Sequence, residues 1–107
     1  MYKIVTFVPI ANADTLRKAI GDVGAGKLGN YHHASFSVRG VGRFIPDRGA
    51  KPAIGKIGKL VEVEEERIEV ICSSDKIKDV VTAIKQNHPY EEVLLEIYQL
   101  LDEDQYS

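Results

Sequence analysis

Two periodicities of hydrophobic and polar positions divide the chain, and together they predict four strands and two helices. Apolar and polar positions alternate, in stretches rich in β-forming side chains, over residues 2–9, 32–39, 60–72 and 93–101. Apolar positions recur at spacings of three and four over residues 13–23 and 75–87. The predicted order of elements is therefore β-α-β-β-α-β.

Residues at the ends of the predicted elements support these boundaries. Asn12 and Ser74 stand where a helix N-cap is needed, and their side chains can accept hydrogen bonds from the first free N–H groups. Pro9 ends the first strand and Pro89 ends the second helix, because proline lacks the backbone N–H that either element would use. We expect both helices to begin with a side-chain cap.

The acidic segment at residues 62–66 interrupts the long third strand. Val61 and Val63 have one parity, whereas Ile68 and Val70 have the other. A change of parity predicts a β-bulge or bend within the acidic segment. We interpret the segment as a solvated bend, with binding of a divalent cation as the alternative.

The element order predicts an α+β fold, a ferredoxin-like βαββαβ sandwich. In this fold a four-stranded antiparallel sheet, with strand order 4-1-3-2, carries both helices on one face. The glycine-rich residues 40–58 form a long connection with a short irregular strand at residues 42–45. The topology places this connection beside the turn at residues 88–92, and we expect residues 1–107 to form a single domain.

Composition limits the function classes. The formal net charge is −2, which argues against nucleic-acid binding because that requires a basic face. No apolar run is long enough to span a membrane, and no N-terminal signal is evident. The only cysteine, Cys72, excludes an intramolecular disulfide and is expected to be a buried core thiol. We therefore expect a cytoplasmic protein with no nucleic-acid or membrane partner.

The segment His88-Pro89-Tyr90-Glu91-Glu92 carries the densest polar chemistry in the chain, and two interpretations stay open. In the structural interpretation, a charged His88 interacts favourably with the dipole at the helix C-terminus. Tyr90 then packs against the protein, and the two glutamates are solvated in a turn. In the functional one, His88, Tyr90, Glu91 and Glu92 contact a ligand or another subunit. Polar residues at such a junction are typical of both situations.

Basic residues of the long connection lie at the same end of the predicted sheet. Arg43 and Lys59 are the candidates for contact with a small anionic ligand, assisted by glycine N–H groups. No phosphate-binding loop spacing is present. The glycines are equally typical of tight backbone turns, and a protein partner is the alternative to a small ligand.

The three histidines are the candidate metal ligands, and a divalent metal is the only cofactor we consider. His32 and His33 are adjacent on a predicted strand, so their side chains should point to opposite faces. The topology places His88 at the other end of the sheet, which disfavours a three-histidine site within one subunit. Solvated histidines or a subunit contact are the alternatives for His32 and His33. No catalytic constellation is identifiable, so we do not expect an enzyme.

Several ordered motifs resemble a known family. They are Gly24-Ala25-Gly26, Gly29-Asn30-Tyr31, Gly40-x-Gly-x-Phe-x-Pro, Ile54-Gly55, Gly58-Lys59-Leu60 and His88-Pro89-Tyr90-Glu91-Glu92-Val93. In this order they resemble the domain inserted into many bacterial YqfO proteins, the Nif-three-like family, and the resemblance covers essentially the whole chain.

The resemblance implies a stand-alone version of that insert, similar to the PII signalling proteins and the CutA proteins. It implies a non-enzymatic regulatory or ligand-binding module that self-associates, with a trimer expected by analogy. A CutA-like divalent metal-binding protein is the alternative. PII proteins bind nucleotide between subunits, near the corresponding second-helix turn and strand 2–3 loop. The dinuclear metal centre of YqfO proteins lies in a separate core domain that is absent here, so neither its ligands nor the cyclohydrolase label carry over.

Overall fold

A computed structural model describes residues 1–107 and contains four strands and two α-helices. The strands are β1 (Tyr2–Pro9), β2 (Phe36–Phe44), β3 (Val61–Cys72) and β4 (Leu95–Gln99). The helices are α1 (Ile10–Asp22) and α2 (Ile77–Asn87), and short 3₁₀ turns occupy Ser74–Lys76 and Glu103–Tyr106. All strand pairs are antiparallel, in the order β2-β3-β1-β4. The predicted ferredoxin-like α+β sandwich and its strand order are confirmed.

The hydrophobic core lies between the helices and one face of the sheet. Alternate residues of β1 and β3 meet the apolar stripes of both helices, and the largest fully buried side chains are Ile4, Leu16, Ile20, Ile68 and Ile84. Burial of each such side chain contributes about 1.5–3 kcal/mol relative to exposure. Cys72 belongs to this core, as predicted, and burial raises the pKa of its thiol above the ordinary value.

The other face of the sheet has no helix over it. Side chains that alternate with the core positions stand on this open face, and β2 contributes Phe36, Val38 and Phe44 to it. Phe36 is 65% exposed and Val38 is 51% exposed. Exposed apolar side chains grouped on one sheet face are typical of binding or association surfaces.

The second strand is displaced from its predicted position. β2 begins at Phe36, not at residue 32, and continues through Gly40 and Gly42 to Phe44. His33 has a φ of 60°, which an extended strand cannot contain, so the strand begins after it. The two glycines continue the ladder because glycine accepts extended backbone as readily as a turn. The connection between β2 and β3 is therefore shorter than predicted, at residues 45–60.

The predicted bulge in β3 is wrong. The register runs unbroken from Phe36 opposite Glu69 to Phe44 opposite Val61, and the pairing of β3 with β1 is equally regular. The parity change in the sequence arises because Val61 and Val63 stand on the open face of a regular strand, whereas Ile68 and Val70 stand on its core face, and two glutamates between them are buried. Each glutamate has a polar partner, described below.

The predicted helix caps are also wrong. α1 begins at Ile10 with Pro9 at its N-cap position, which leaves Asn12 inside the first turn. Pro9 has a φ of −52° and leads the chain from strand into helix without a side-chain cap. A 3₁₀ turn precedes α2, and the N-cap position of this turn is occupied by Ser73 rather than Ser74.

The last strand, β4, is shorter at both ends than predicted, although Leu100 N still donates to Met1 O at 3.0 Å.

Candidate ligand-binding site

A cavity of about 830 Å³ lies on the open face of the sheet. It is bounded by the β2–β3 connection on one side and by the turn after α2 on the other. Much of its wall is apolar, including Phe7, Phe44, Ile45, Ile54 and Leu94. An apolar cavity with a few convergent polar groups is the usual form of a small-molecule site.

Two polar side chains meet within this cavity. Glu65 projects from β3 and is only 9% exposed, and the Tyr90 hydroxyl donates to its Oε2 at 3.2 Å. Tyr90 is held by ring contacts, at centroid distances of 5.7 Å to Phe44 and 4.8 Å to His88. Gly42 provides the room for the carboxylate, because a Cβ there would overlap its oxygens and stand 2.6 Å from Glu65 Cδ.

The environment of Tyr90 determines its protonation. Burial, together with the charge and hydrogen bond of Glu65, raises the pKa of Tyr90 to about 12. The phenol is therefore neutral at physiological pH and acts as a hydrogen-bond donor to the carboxylate. This pair presents a fixed, partly buried polar contact next to the apolar side chains of the wall.

His88 supports the site from behind. It is buried, its Nε2 lies 2.6 Å from Phe7 O, and Tyr90 N donates to its Nδ1 at 3.2 Å. These bonds require the neutral tautomer with the proton on Nε2. The ring thereby ties the turn to β1 and positions Tyr90, and both of its nitrogens are occupied within the protein.

The two glutamates of the turn have different environments. Glu91 Oε1 accepts a hydrogen bond from Lys51 N at 2.7 Å, which ties the β2–β3 connection to the turn. Glu92 is exposed at the rim of the cavity. Tyr90, Glu91 and Glu92 thus surround one cavity, as the topology predicted for this end of the sheet.

The two basic candidates lie less centrally. Arg43 borders the cavity, but strand alternation directs its side chain to the other face, where Nη2 lies 3.7 Å from Glu62 Oε2. Lys59 is not among the lining residues. Arg67 lines the cavity and projects from the open face, and its guanidinium lies 2.8 Å from Glu69 and 5.9 Å from the Phe7 ring centroid.

The acidic segment contains the residues that the sequence analysis missed. Its interpretation as a solvated bend is wrong, because Glu65 and Glu66 are buried on opposite faces of β3. Glu66 Oε2 accepts from Arg17 Nη1 at 3.0 Å, and the same nitrogen lies 3.2 Å from Ser37 Oγ. The sequence did contain a signal for Glu65. If the alternation is continued through the segment without a bulge, Glu65 falls on the open face of the sheet, near Gly42.

His32 and His33 lie at the opposite end of the molecule from His88. Both precede β2, and His33 contacts the end of α1, where its Nε2 lies 2.9 Å from Asp22 Oδ1. No group of three or more His, Cys, Asp or Glu side chains is arranged to hold a metal ion. No helix combines the length and the apolar character needed to cross a bilayer.

Comparison with known proteins identifies relatives over most of the chain, although no family model matches. A GTP cyclohydrolase 1 type 2 homolog of Halalkalibacterium halodurans is 44% identical over 103 residues, covering 96% of this chain and 28% of the relative. The Bacillus subtilis protein of the same name is 43% identical over 96 residues, covering 90% of this chain and 26% of the relative. The chain therefore spans about a quarter of the length of the curated relatives it matches.

Solved structures give the same relationship. A Bacillus cereus protein related to NIF3 superposes with a TM-score of 0.82 at 44% identity, over 94% of this chain and 26% of that one. CutA from Pyrococcus horikoshii superposes with a TM-score of 0.67 at 15% identity, over 99% of this chain and 92% of that one, which shows the fold alone.

The fold is thus that of the CutA-like and PII-like ferredoxin-like proteins. In sequence, the chain is homologous to a domain-sized segment of the YqfO/NIF3 family, as its motifs indicated.

Proposed function

We propose that this protein is a non-enzymatic regulatory module that binds a small ligand in the open-face cavity. The observation that carries the proposal is the buried Glu65 carboxylate, bonded to Tyr90 inside an apolar cavity. A buried carboxylate with spare acceptor capacity favours a ligand that brings a hydrogen-bond donor.

The state of the surrounding groups supports binding rather than catalysis. The phenol of Tyr90 is neutral, with its pKa raised to about 12, so it is a poor proton acceptor. His88 has both ring nitrogens engaged, by Phe7 O and Tyr90 N. Glu65 therefore has a fixed donor but no neighbouring nucleophile to activate.

The charges of the open face indicate the class of ligand. Glu65 and Arg67 are two positions apart on β3, so both project from the same face. A ligand with donor groups on an apolar ring system could address Glu65 while an anionic group reaches Arg67. Nucleotides have this combination, and Arg67 takes the role that the sequence analysis gave to Arg43 and Lys59.

A ligand screen tests this proposal. Thermal unfolding is measured with a panel of nucleotides, where a ligand at a hundred times its dissociation constant adds about 2.7 kcal/mol of stability. Glu65→Gln and Tyr90→Phe should remove the shift, whereas Glu92→Gln, at the exposed rim, should retain it. No shift with any nucleotide, or equal shifts in all the variants, would contradict binding in this cavity and favour a protein partner.

We also propose that the protein self-associates through its open face, with a trimer expected from its likeness to PII and CutA proteins. Support comes from the exposure of Phe36, Val38 and Leu94 on and beside this face. Sedimentation should show a trimer that Val38→Lys dissociates. Val41→Lys changes an equally exposed position on the other face of β2 and should leave the trimer intact. A monomer at micromolar concentration would exclude the proposal.

The curated relatives carry the name GTP cyclohydrolase 1 type 2 homolog, and the matched segment is about a quarter of their length. We propose that this chain does not carry that activity itself. Incubation of the purified protein with GTP should leave the nucleotide unchanged, and turnover that disappears in Glu65→Gln would refute the non-enzymatic assignment.

A further inference from the structure

The two oxygens of the Glu65 carboxylate have different surroundings. Oε2 accepts from the Tyr90 hydroxyl at 3.2 Å, whereas Oε1 has no hydrogen-bond partner within the protein. No buried side-chain nitrogen or oxygen of the protein lacks a hydrogen bond, so Oε1 must be open to the solvent of the cavity. The residue as a whole is nevertheless only 9% exposed. A nearly enclosed acceptor with no partner favours a ligand that brings a donor to it.

Space for such a ligand lies beside the carboxylate, over Gly40. Gly40 pairs directly with Glu65 across β2 and β3, and a Cβ added to it would meet no atom within 4 Å. The Glu65 side chain lies instead over Gly42, where an added Cβ would overlap Oε1. The two glycines leave the strand without side chains at this point, and the half over Gly40 is unfilled. Glycine within a strand is typical of a place where a ligand approaches the backbone closely.

The wall around this space suits a flat, neutral ring. The cavity of about 830 Å³ is lined by Phe7, Phe44 and Leu94, among other apolar side chains. Contact of an aromatic ring with such side chains favours binding through burial and stacking. A small free cation would lose its hydration against the same wall and gain less apolar contact. The wall therefore favours a heteroaromatic ring.

The carboxylate restricts which hydrogen-bonding edge the ring can present. Both oxygens accept and neither donates, and Oε2 keeps a second lone pair besides the one that faces Tyr90. The N1–H and N2–H groups of guanine are two parallel donors, similar to the fork that arginine offers to a carboxylate. Adenine has a ring-nitrogen acceptor next to its amino group, so one carboxylate oxygen would meet a lone pair and stay unpaired.

We propose that the open-face cavity selects guanine over adenine, with the Glu65 carboxylate accepting from N1–H and N2–H of a base that lies over Gly40. The inference rests on the proposed function, because it names the base that the same cavity recognises. Tyr90 fixes the carboxylate in one orientation, which lowers the entropic cost of binding the base.

Calorimetric titration of the full chain with three nucleoside monophosphates tests this selection. GMP should bind about ten to a hundred times more tightly than AMP. IMP keeps N1–H but lacks the 2-amino group, so its affinity should lie between the two. Arginine carries the same donor fork without an aromatic ring and should bind more weakly than GMP. Tighter binding of arginine would assign the cavity to a guanidinium ligand and overturn the inference.

Three variants separate recognition from folding. Glu65→Gln replaces one acceptor by a donor, so GMP should bind at least about tenfold more weakly and AMP, which suits a carboxamide, should bind more tightly than in the wild type. A gain of affinity cannot arise from a folding defect. Glu64→Gln makes the same change at an exposed position on the other face of β3 and should keep the wild-type preference. Gly40→Val should block GMP without lowering the unfolding temperature, because valine suits a strand.

The possible outcomes distinguish this inference from the proposed function. Equal affinities for GMP and AMP in the wild type, with both lost in Gly40→Val, would overturn guanine selection and leave ligand binding in the cavity standing. Absence of binding by all three nucleotides would overturn both. An unchanged GMP preference in Glu65→Gln, or unchanged GMP affinity in Gly40→Val, would place the base elsewhere and overturn the inference.

Discussion

The Glu65 carboxylate occupies the space above Gly42 where any other residue would carry its side chain. A Cβ on Gly42 would overlap the carboxylate oxygens, with Cδ only 2.6 Å away. The two residues are far apart in sequence and lie diagonally across the pair β2 and β3. The absence of a side chain at Gly42 is therefore what lets an acidic group be buried within the cavity.

Gly42→Ala should displace the Glu65 carboxylate and break its bond to Tyr90. Gly40→Ala is the matched control, because it lies on the same strand and face with no atom within 4 Å of the added Cβ. Removal of glycine from a strand should stabilise the control by about 0.5–1 kcal/mol. Overpacking should make Gly42→Ala less stable than the control by about 1–3 kcal/mol in urea denaturation. Equal stability of the two variants would show that the carboxylate does not depend on Gly42.

The ionisation of Tyr90 should make stability fall at high pH. Its pKa rises from an ordinary value of 10.0 to about 12 in the folded protein, so the unfolded chain loses this proton first. The stabilisation is fully present below pH 10 and is lost as pH rises towards 12. Denaturation at pH 9 and pH 11 should show this loss in the wild type and a smaller loss in Tyr90→Phe.

Ultraviolet titration checks the assignment directly. One tyrosine should ionise near pH 12 in the wild type, and that step should be missing in Tyr90→Phe. Tyr98 also has a raised pKa, through its hydrogen bond to Glu96, so Tyr98→Phe serves as the control. Retention of the highest step in Tyr90→Phe would refute the assignment.

Arg17 joins α1 to the sheet, and its removal should be costly. Arg17→Met leaves the Glu66 carboxylate buried without its charged donor, which should destabilise the protein by about 1–3 kcal/mol. Asp14 is the other carboxylate partner of Arg17, and its side chain is exposed, so Asp14→Asn should cost at most about 0.5 kcal/mol. Addition of Glu66→Gln to Arg17→Met should recover part of the loss, and a purely additive double variant would contradict this account.

Glu91 should control the motion of the β2–β3 connection. Its carboxylate bonds Lys51 N, so Glu91→Gln or Glu91→Ala weakens the tie between the connection and the turn. Loss of about 1 kcal/mol should speed hydrogen exchange of the Lys51 amide about fivefold. Glu92→Ala should leave that amide unchanged, and exchange that is equal in all variants would mean that the bond does not persist in solution.

The order of four alternating and two helical stretches predicted the fold, and the patterns in Tyr2–Pro9 and residues 75–87 were the clearest of them. These patterns report burial against a common core, and the topological rules for connecting them leave few arrangements. The grouping of Tyr90, Glu91 and Glu92 beside the β2–β3 connection followed from that topology alone. The pattern is clear in Tyr2–Pro9 and in the second helix because residues on one side of each are buried in the common core.

Other features depend on contacts that no local pattern contains. The start of β2 was misplaced because residues 32–35 alternate like a strand, whereas the contact of His33 with Gly21 and Asp22 sets its left-handed backbone. Glu65 was taken for a solvated residue because its burial requires Tyr90 and Gly42, which come from other elements. A charged residue in a strand can be buried when another element supplies a polar partner, so its charge alone does not indicate exposure to solvent.

The last rung of the β2–β3 ladder pairs Phe44 directly with Val61, so residues 45–60 leave and re-enter the sheet at neighbouring positions. Closing a longer or shorter loop between fixed ends changes the free energy only slowly with its length. The wall of the cavity can therefore be exchanged without altering the strands beneath it. In evolutionary terms, residues 45–60 are free to change in length and sequence, whereas Gly42 and Glu65 lie on the strands and are bound to the scaffold.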